Sequence, residues 1–223
     1  MSGAPAVSRM EDGRLEQFIR CPGCFYSGGN CQESEPWRES ARTSADRIIR
    51  EFYGIDASRR TADIILERLE MYLIGLEESG FVMEDYLRMK KNLAKYLILA
   101  LFQEEKTDPP LFLFETLSVQ VEELDLELVM HLHVGEWANG SYTLKRYYLD
   151  EDWSVVKAYL QLSLVFAYKA FGTLPGQIEA YNLLTGEAYR IRPKSDDLQA
   201  SMDFLRLTDT LMREHKRGRI MLA

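Results

Sequence analysis

The chain has 223 residues, of which 46% are hydrophobic and 28% are charged, and its formal net charge is -8. This composition is typical of a folded globular protein and excludes an intrinsically disordered one. The acidic balance argues against strong autonomous binding of nucleic acid, because proteins that contact many phosphates usually present a basic surface.

The sequence gives no sign of a membrane or secretory protein. No apolar run has the length of a membrane span, and the first ten residues lack the apolar core of a signal peptide. We therefore expect a cytoplasmic protein with no membrane partner. The cysteines number three, and this odd count argues against a disulfide framework.

The first half of the chain is predicted to be mainly helical. Residues 1–13 are small and polar, which is typical of a flexible tail. A helix is predicted to start at residue 14 and to be interrupted by Pro22 and Gly23, and residues 33–44 read as irregular. Apolar periodicity predicts three more helices, over residues 46–53, 61–78 and 83–105.

The second half is predicted to build a sheet around one buried helix. Residues 136–140 form a turn with Asn139 and Gly140 at its tip, and a final helix spans residues 196–215. The other elements predicted for this half are strands over 111–121 (with an irregularity), 124–134 and 141–149, a helix over 154–171, and a hairpin over 177–191.

This order of elements predicts an α/β, or α+β, fold with a central mixed β-sheet flanked by helices. We expect a flexible tail over residues 1–13 and a single domain over residues 14–223. Within that domain, residues 14–106 are mainly helical, and residues 111–215 form the sheet core with its packing helices.

Two segments resemble the RecB-type nuclease domains of the PD-(D/E)XK superfamily. Residues 18–26 (FIRCPGCFY) are similar to the family's opening helix, Cys-Pro pair and aromatic pair. Residues 159–186 are similar to its helix with a Leu-Gln-Leu core, which leads to a strand and a Leu-x-Thr-Gly turn. The resemblance implies a restriction-endonuclease-like core that follows an N-terminal helical region.

The resemblance also implies where a nuclease site should lie. The family binds a divalent metal through an Asp on one strand and an acid on the next, followed two residues later by a Lys. The family's Lys matches Lys145, and the Gln of its following helix matches Gln161. Thr143 and His133, however, occupy the positions of the two acids. The family's upstream His has no counterpart. Magnesium requires hard anionic oxygen ligands, so these four residues are expected to form a vestigial pocket.

Nearby carboxylates leave a second interpretation open, in which displaced acids restore the metal site. Those near the first strands are Glu115, Glu123, Asp125 and Glu127, and those after the return strand are Asp150, Glu151 and Asp152. The alternating pattern instead favours a solvent-facing position for Asp125 and Glu127.

The cysteines and two histidines are further candidate metal ligands. Cys21 and Cys24 have a spacing typical of zinc or iron–sulfur sites, and Cys31 follows in a glycine-rich loop. Some members of the resembled family carry an iron–sulfur cluster, which is held by one N-terminal cysteine and three near the C-terminus. This sequence has no cysteine after Cys31. The alternative is that Cys21 and Cys24 are small partly buried hydrophobes. His131 and His133 are predicted to lie on one face of a strand, without an obvious third ligand.

Three functions are consistent with these observations. The first is a catalytically degenerate nuclease-like protein that acts as a binding or structural subunit of a nucleic-acid-processing or defence assembly, with a protein partner and weak nucleic-acid binding of its own. The second is an active DNA nuclease that uses magnesium and displaced acids. The third is a small regulatory module with zinc or an iron–sulfur cluster on the cysteines. The missing acids and the net charge of -8 favour the first.

Overall fold

The computed structural model describes residues 8–28, 36–74, 82–102, 109–138, 140–149 and 152–220. A six-stranded mixed sheet carries helices on both faces, which confirms the predicted α+β fold. Within the described part of the chain, no helix has the length and apolar character needed to cross a membrane.

Seven helices and six strands make up this part of the chain. The helices are α1 (Asp12–Arg20), α2 (Pro22–Ser27), α3 (Pro36–Tyr53), α4 (Ala62–Tyr72), α5 (Met83–Leu101), α6 (Trp153–Phe171) and α7 (Ser195–Ile220). The strands are β1 (Ser8–Glu11), β2 (Phe112–Val121), β3 (Leu126–Ala138), β4 (Ser141–Tyr148), β5 (Gln177–Asn182) and β6 (Ala188–Ile191).

Strand β3 is the centre of the sheet, and its two edges are used differently. Strand β2 pairs antiparallel with β3 along residues 126–135. The other edge is shared, because β1 pairs parallel with residues 126–129 and β4 pairs antiparallel with residues 134–138. Helix α6 then crosses over to β5, which lies parallel to β4, and β6 completes a hairpin with β5.

The sheet separates two hydrophobic layers. The first layer packs α1, α6 and α7 against one face and contains Leu132, Leu144 and Tyr148 of the sheet. The second layer packs α3, α4 and α5 against the other face and contains Val134 and Tyr147. Helix α6 is apolar on nearly all sides because it lies between the sheet, α1 and α7.

Several predicted elements are confirmed with small shifts of their ends, including the helix that ends before Pro22 (α1), α6 and the β5–β6 hairpin. Gly140 has φ +76°, as a tight turn at this point requires, and Asn139 lies outside the described residues. Phe114 has φ +50° and interrupts the β2–β3 pairing, which is the irregularity predicted for this strand.

Two predictions near the N-terminus are wrong. Residues 8–13 are not part of a tail, because β1 pairs with β3, and Met10 is fully buried in the first layer. Helix α3 begins at Pro36 and so includes most of the segment predicted to be irregular. That segment reads as polar because its buried positions hold small residues, Ala41 and Ser44.

The predicted turn over residues 136–140 is too long. Strand β3 continues to Ala138, so Glu136 and Trp137 belong to the strand and pair with Thr143 and Tyr142 of β4. A Glu next to a Gly-containing turn carries strong loop propensity, but the pairing with β4 overrides it.

Replacement of Gly135 tests the packing at the centre of the sheet. A Cβ atom at Gly135 would lie 2.2 Å from the ring of Phe112, which crosses β3 at this residue. We expect Gly135→Ala to lower the free energy of unfolding in urea by about 2 kcal/mol, because a fully packed core accepts an added methyl group only with strain. The matched control is Gly13→Ala in α1, where nothing lies within 4 Å of the new Cβ. Equal stability of the two variants would contradict this packing.

Candidate functional site

A gap in the strand pairing organises the polar residues of the second layer. Neither β1 nor β4 pairs with residues 130–133 of β3, so backbone groups on that edge and on the facing part of β4 need other partners. Side chains supply them. The backbone N–H of His131 donates to the Asp12 carboxylate at 3.3 Å, and the backbone N–H of Tyr147 donates to Nδ1 of His133 at 3.4 Å.

The alternation of side chains along β3 shifts at the same place. Leu132 packs in the first layer, and by simple alternation Val134 would follow it there. Instead, Val134 packs in the second layer, and the ring of the preceding His133 lies 4.9 Å from that of Phe114, another second-layer residue. The shift coincides with the positive φ of Phe114 on the neighbouring strand. As a result, Glu136 points to the same side of the sheet as Lys145.

Lys145 and Glu136 form a buried ion pair beneath α3. The Lys145 ammonium contacts one carboxylate oxygen of Glu136, and the Tyr53 hydroxyl of α3 donates to the other at 2.5 Å. Only 4% of the Lys145 side chain and 1% of the Glu136 side chain are exposed. Burial, followed by the negative charge of Glu136, raises the pKa of Tyr147 well above its ordinary value. The Tyr147 phenol therefore remains protonated at neutral pH.

A second buried carboxylate, Glu179 of β5, lies opposite Lys145 in the strand register. It accepts hydrogen bonds from Gln177 and Tyr181 on its own strand. The Arg190 guanidinium of β6 also donates to it at 3.2 Å. Glu179 is thus already bound to donors on β5 and β6.

Asp46 of α3 and His133 meet at the open edge of β3. The carboxylate lies 4.0 Å from Nδ1 of His133, whose ring is almost fully buried. Burial raises the pKa of Asp46 to about 6, although Arg42, Arg146 and Arg50 act in the opposite direction. Burial, and after it the charge of Arg146, holds the pKa of His133 well below its usual value, so that the imidazole is neutral at pH 7.

Arg146 of β4 contacts helices α1 and α6 of the first layer, beside the unpaired edge of β3. Its guanidinium donates to Asp12 at 3.2 Å and to Glu16 at 3.1 Å, and it lies 4.2 Å above the ring of Tyr159 in α6. Burial alone would raise the pKa of Glu16, but Arg146, Arg42 and Arg20 outweigh it and hold the pKa below its ordinary value. Two acids of α1 therefore neutralise the buried arginine beside the gap.

The structure brings three of the four predicted pocket residues to one side of the sheet. Lys145 and His133 lie in the second layer, and Thr143 is paired with Glu136 on the same face. Gln161 is on α6, which packs against the opposite face, and its buried amide oxygen accepts no hydrogen bond. The expected convergence of Lys145 with Gln161 is therefore wrong.

The displaced acids suggested by the sequence do not reach this site. Asp125 and Glu123 are exposed, and Glu123 forms an ion pair with Lys169. Glu115 is exposed, and Glu127 is only partly buried. Asp152 caps α6 by accepting from the backbone N–H of Ser154 at 2.8 Å, whereas Asp150 and Glu151 lie outside the described residues.

The candidate metal ligands are arranged for other contacts. The sulfur atoms of Cys21 and Cys24 lie close enough for a disulfide at the start of α2, and Cys31 lies outside the described residues. The rings of His131 and His133 are 5.5 Å apart, which agrees with one strand face, and His131 lies 3.1 Å from the Thr116 hydroxyl. In the part of the chain that the structure covers, no three His, Cys, Asp or Glu residues are grouped so as to hold a metal ion.

Comparison with known proteins adds no family assignment. No protein-family model matches this sequence, and no curated protein is significantly similar to it.

Sequence reasoning missed Glu136, Tyr53 and Asp46. Glu136 was placed in a turn, although it follows the apolar run that ends at Val134. Asp46 gave a clearer signal, because it stands three residues before Ile49 and seven before Tyr53, on the buried face of α3. A carboxylate on an apolar helix face usually has a specific partner, and here the nearest is His133.

Removal of one partner of the ion pair tests its role in stability. We expect Lys145→Met to lower the free energy of unfolding by about 3–5 kcal/mol, because Glu136 would be left buried without a countercharge. The double variant Lys145→Met with Glu136→Leu should recover most of this loss, since no charge then remains unpaired. Urea unfolding followed by circular dichroism measures both. A single variant as stable as the unaltered chain would show that solvent reaches Glu136.

The Asp46 carboxyl should make stability depend on pH in a defined direction. Its pKa is about 6 in the folded chain against 3.8 as the ordinary value, so the folded state holds the proton more tightly. The stability contributed by the protonated carboxyl is therefore lost as the pH rises through this window. The free energy of unfolding of the Asp46→Asn variant, relative to that of the unaltered chain, should therefore be about 1–2 kcal/mol more favourable at pH 7 than at pH 4. This range allows for the partial exposure of the side chain.

Urea unfolding at several pH values measures that difference. The control is Asp125→Asn, at an exposed position before β3, for which we expect no such trend. A difference between the Asp46→Asn variant and the unaltered chain that stays constant from pH 4 to pH 7 would contradict the raised pKa.

Proposed function

We propose that this chain is a nuclease-fold protein that has lost metal-dependent cleavage and acts as a binding or structural subunit of a nucleic-acid-processing assembly. The proposal rests on the burial of Lys145 and its pairing with Glu136. In a working site of this kind, the lysine must face the scissile phosphate and its metal-bound water. Here its ammonium is paired with Glu136 and covered by Tyr53 of α3.

The groups around Lys145 also lack the character of a metal site. Hydrolysis of a phosphodiester requires one or two divalent cations held by hard anionic oxygens in contact with solvent. His133 and Thr143 supply a neutral imidazole and a hydroxyl, and the two nearest carboxylates, Glu136 and Glu179, are buried and bound to cations and donors of the chain. A metal would have to displace these partners before it could bind.

The charge of the chain supports a partnership rather than independent action. A net charge of -8 repels a polyanion at long range, so strong binding of nucleic acid would require a basic surface from elsewhere. A protein partner that supplies this surface fits the proposal. The chain would then contribute its fold and its contacts, and another subunit would contribute the catalytic chemistry.

One observation favours a second candidate, an active nuclease with displaced acids. Glu136 and Glu179 lie on the strands that flank β4, one on either side of Lys145, and all three are buried on the same sheet. If α3 moved away, two carboxylates and a lysine would face solvent together. This alternative predicts cleavage that depends on Glu136.

A cleavage assay separates the two candidates. Purified chain is incubated with linear duplex DNA and with single-stranded DNA, in the presence of magnesium or manganese. We expect no cleavage above that of a chelator control, because Lys145 and Glu136 are held by each other. The double variant Lys145→Met with Glu136→Leu is assayed beside it. Cleavage by the unaltered chain that the folded double variant lacks would overturn the proposal and establish the displaced-acid nuclease.

A further inference from the structure

Helices α4 and α5 form an antiparallel hairpin whose outer surface carries an exposed apolar patch. An ion pair between Glu70 and Lys90 at 2.5 Å fixes how the two helices align along their common axis, so that these two residues lie at the same level. Tyr86 of α5 also donates to the carbonyl of Leu73 at 3.4 Å, near the end of α4. Residues three or four positions from Glu70 and Lys90 on their helices therefore share one face of the hairpin.

That face exposes large apolar side chains on both helices. Leu66 stands four residues before Glu70 on α4, and Ile74 stands four residues after it, just past the end of that helix. On α5, Met83 and Leu87 stand seven and three residues before Lys90. More than half of the surface of Ile74, Met83 and Leu87 is exposed. An apolar cluster of this kind on a single surface, flanked by charged residues, is typical of a protein–protein contact.

The charges of the two helices are opposite. Helix α4 exposes the acids Asp63, Glu67 and Glu70, whereas α5 exposes the bases Arg88, Lys91 and Lys95 beyond its first turn. Because α4 and α5 are antiparallel and Glu70 is level with Lys90, Glu67 and Asp63 are level with the stretch of α5 that carries Lys91 and Lys95. The hairpin is therefore complementary to a second copy of itself, provided that α4 of one copy lies on α5 of the other.

We propose that the α4–α5 hairpin is a homodimer interface in which α4 of each copy packs against α5 of its partner. A two-fold axis parallel to the helices produces this arrangement, since it exchanges the two helices and keeps every residue at its level. Acids then face bases twice, and Ile74 packs near Met83 and Leu87 of the other copy. The alternative two-fold axis, perpendicular to the helices, would place α4 on α4 and acids on acids, which costs energy at each contact.

This dimer is independent of the proposed function, because none of its contact residues takes part in the Lys145–Glu136 ion pair. The four helices together would form an antiparallel bundle that covers apolar surface left exposed in one copy.

Charge reversal across the interface tests the proposal. One variant carries Asp63→Lys with Glu67→Lys, and the other carries Lys91→Glu with Lys95→Glu. Each variant alone would place like charges opposite each other twice, and we expect its dimer dissociation constant to rise about a hundredfold or more. A mixture of the two variants restores opposite charges at both contacts, so it should form a heterodimer nearly as stable as the original.

Sedimentation velocity across a dilution series gives the masses, and circular dichroism confirms that each variant is folded. Leu87→Glu should also yield monomers, whereas Leu207→Glu, at an exposed position on α7, should leave the dimer unchanged. An unaltered chain that is monomeric at every concentration would overturn the proposal. So would charge-reversed variants that remain dimeric alone, or a mixture of them that forms no heterodimer.

Discussion

The pairing of Lys145 with Glu136 is the constraint on which the second layer depends. Two charges taken from water into a protein interior lose several kcal/mol of solvation each, and only close contact and further hydrogen bonds offset that loss. Tyr53 supplies the extra hydrogen bond, and it comes from the last turn of α3. The position of α3 over the sheet is therefore tied to the charge pair, because any shift of the helix would leave part of the Glu136 carboxylate without a donor.

The shared edge of β3 explains why polar groups collect where they do. Strands β1 and β4 both pair with this edge, and the residues between their pairing regions retain backbone groups that no strand satisfies. Asp12 accepts from one of these groups, the N–H of His131, and His133 accepts from the N–H of Tyr147 on the facing part of β4. Arg146 and Asp46 are their charged neighbours. These side chains complete the hydrogen bonding of the fold at the gap.

Much of the architecture could be predicted from the sequence, because it depends on local signals. The apolar residues of α6, the alternation of β3 and the Gly140 turn each indicate their element without knowledge of the rest. The position of Glu136 could not be predicted in this way. It depends on a shift in alternation at His133, which in turn depends on the backbone of Phe114 in a different strand. The separation of Lys145 from Gln161 was missed for a related reason, since spacing along the chain does not say on which face of the sheet a helix packs.

Amine labelling of the native chain tests most directly whether the Lys145 ammonium is inaccessible to solvent. A lysine-specific acylating reagent is applied under native conditions, and the extent of modification at each lysine is read by mass spectrometry. We predict that Lys145 stays unmodified while the exposed Lys157 and Lys194 react fully, and that Lys145 reacts like them once the chain is unfolded. Modification of Lys145 in the native chain at a rate close to that of Lys157 would contradict the account, because the ammonium would then be free to meet a phosphate.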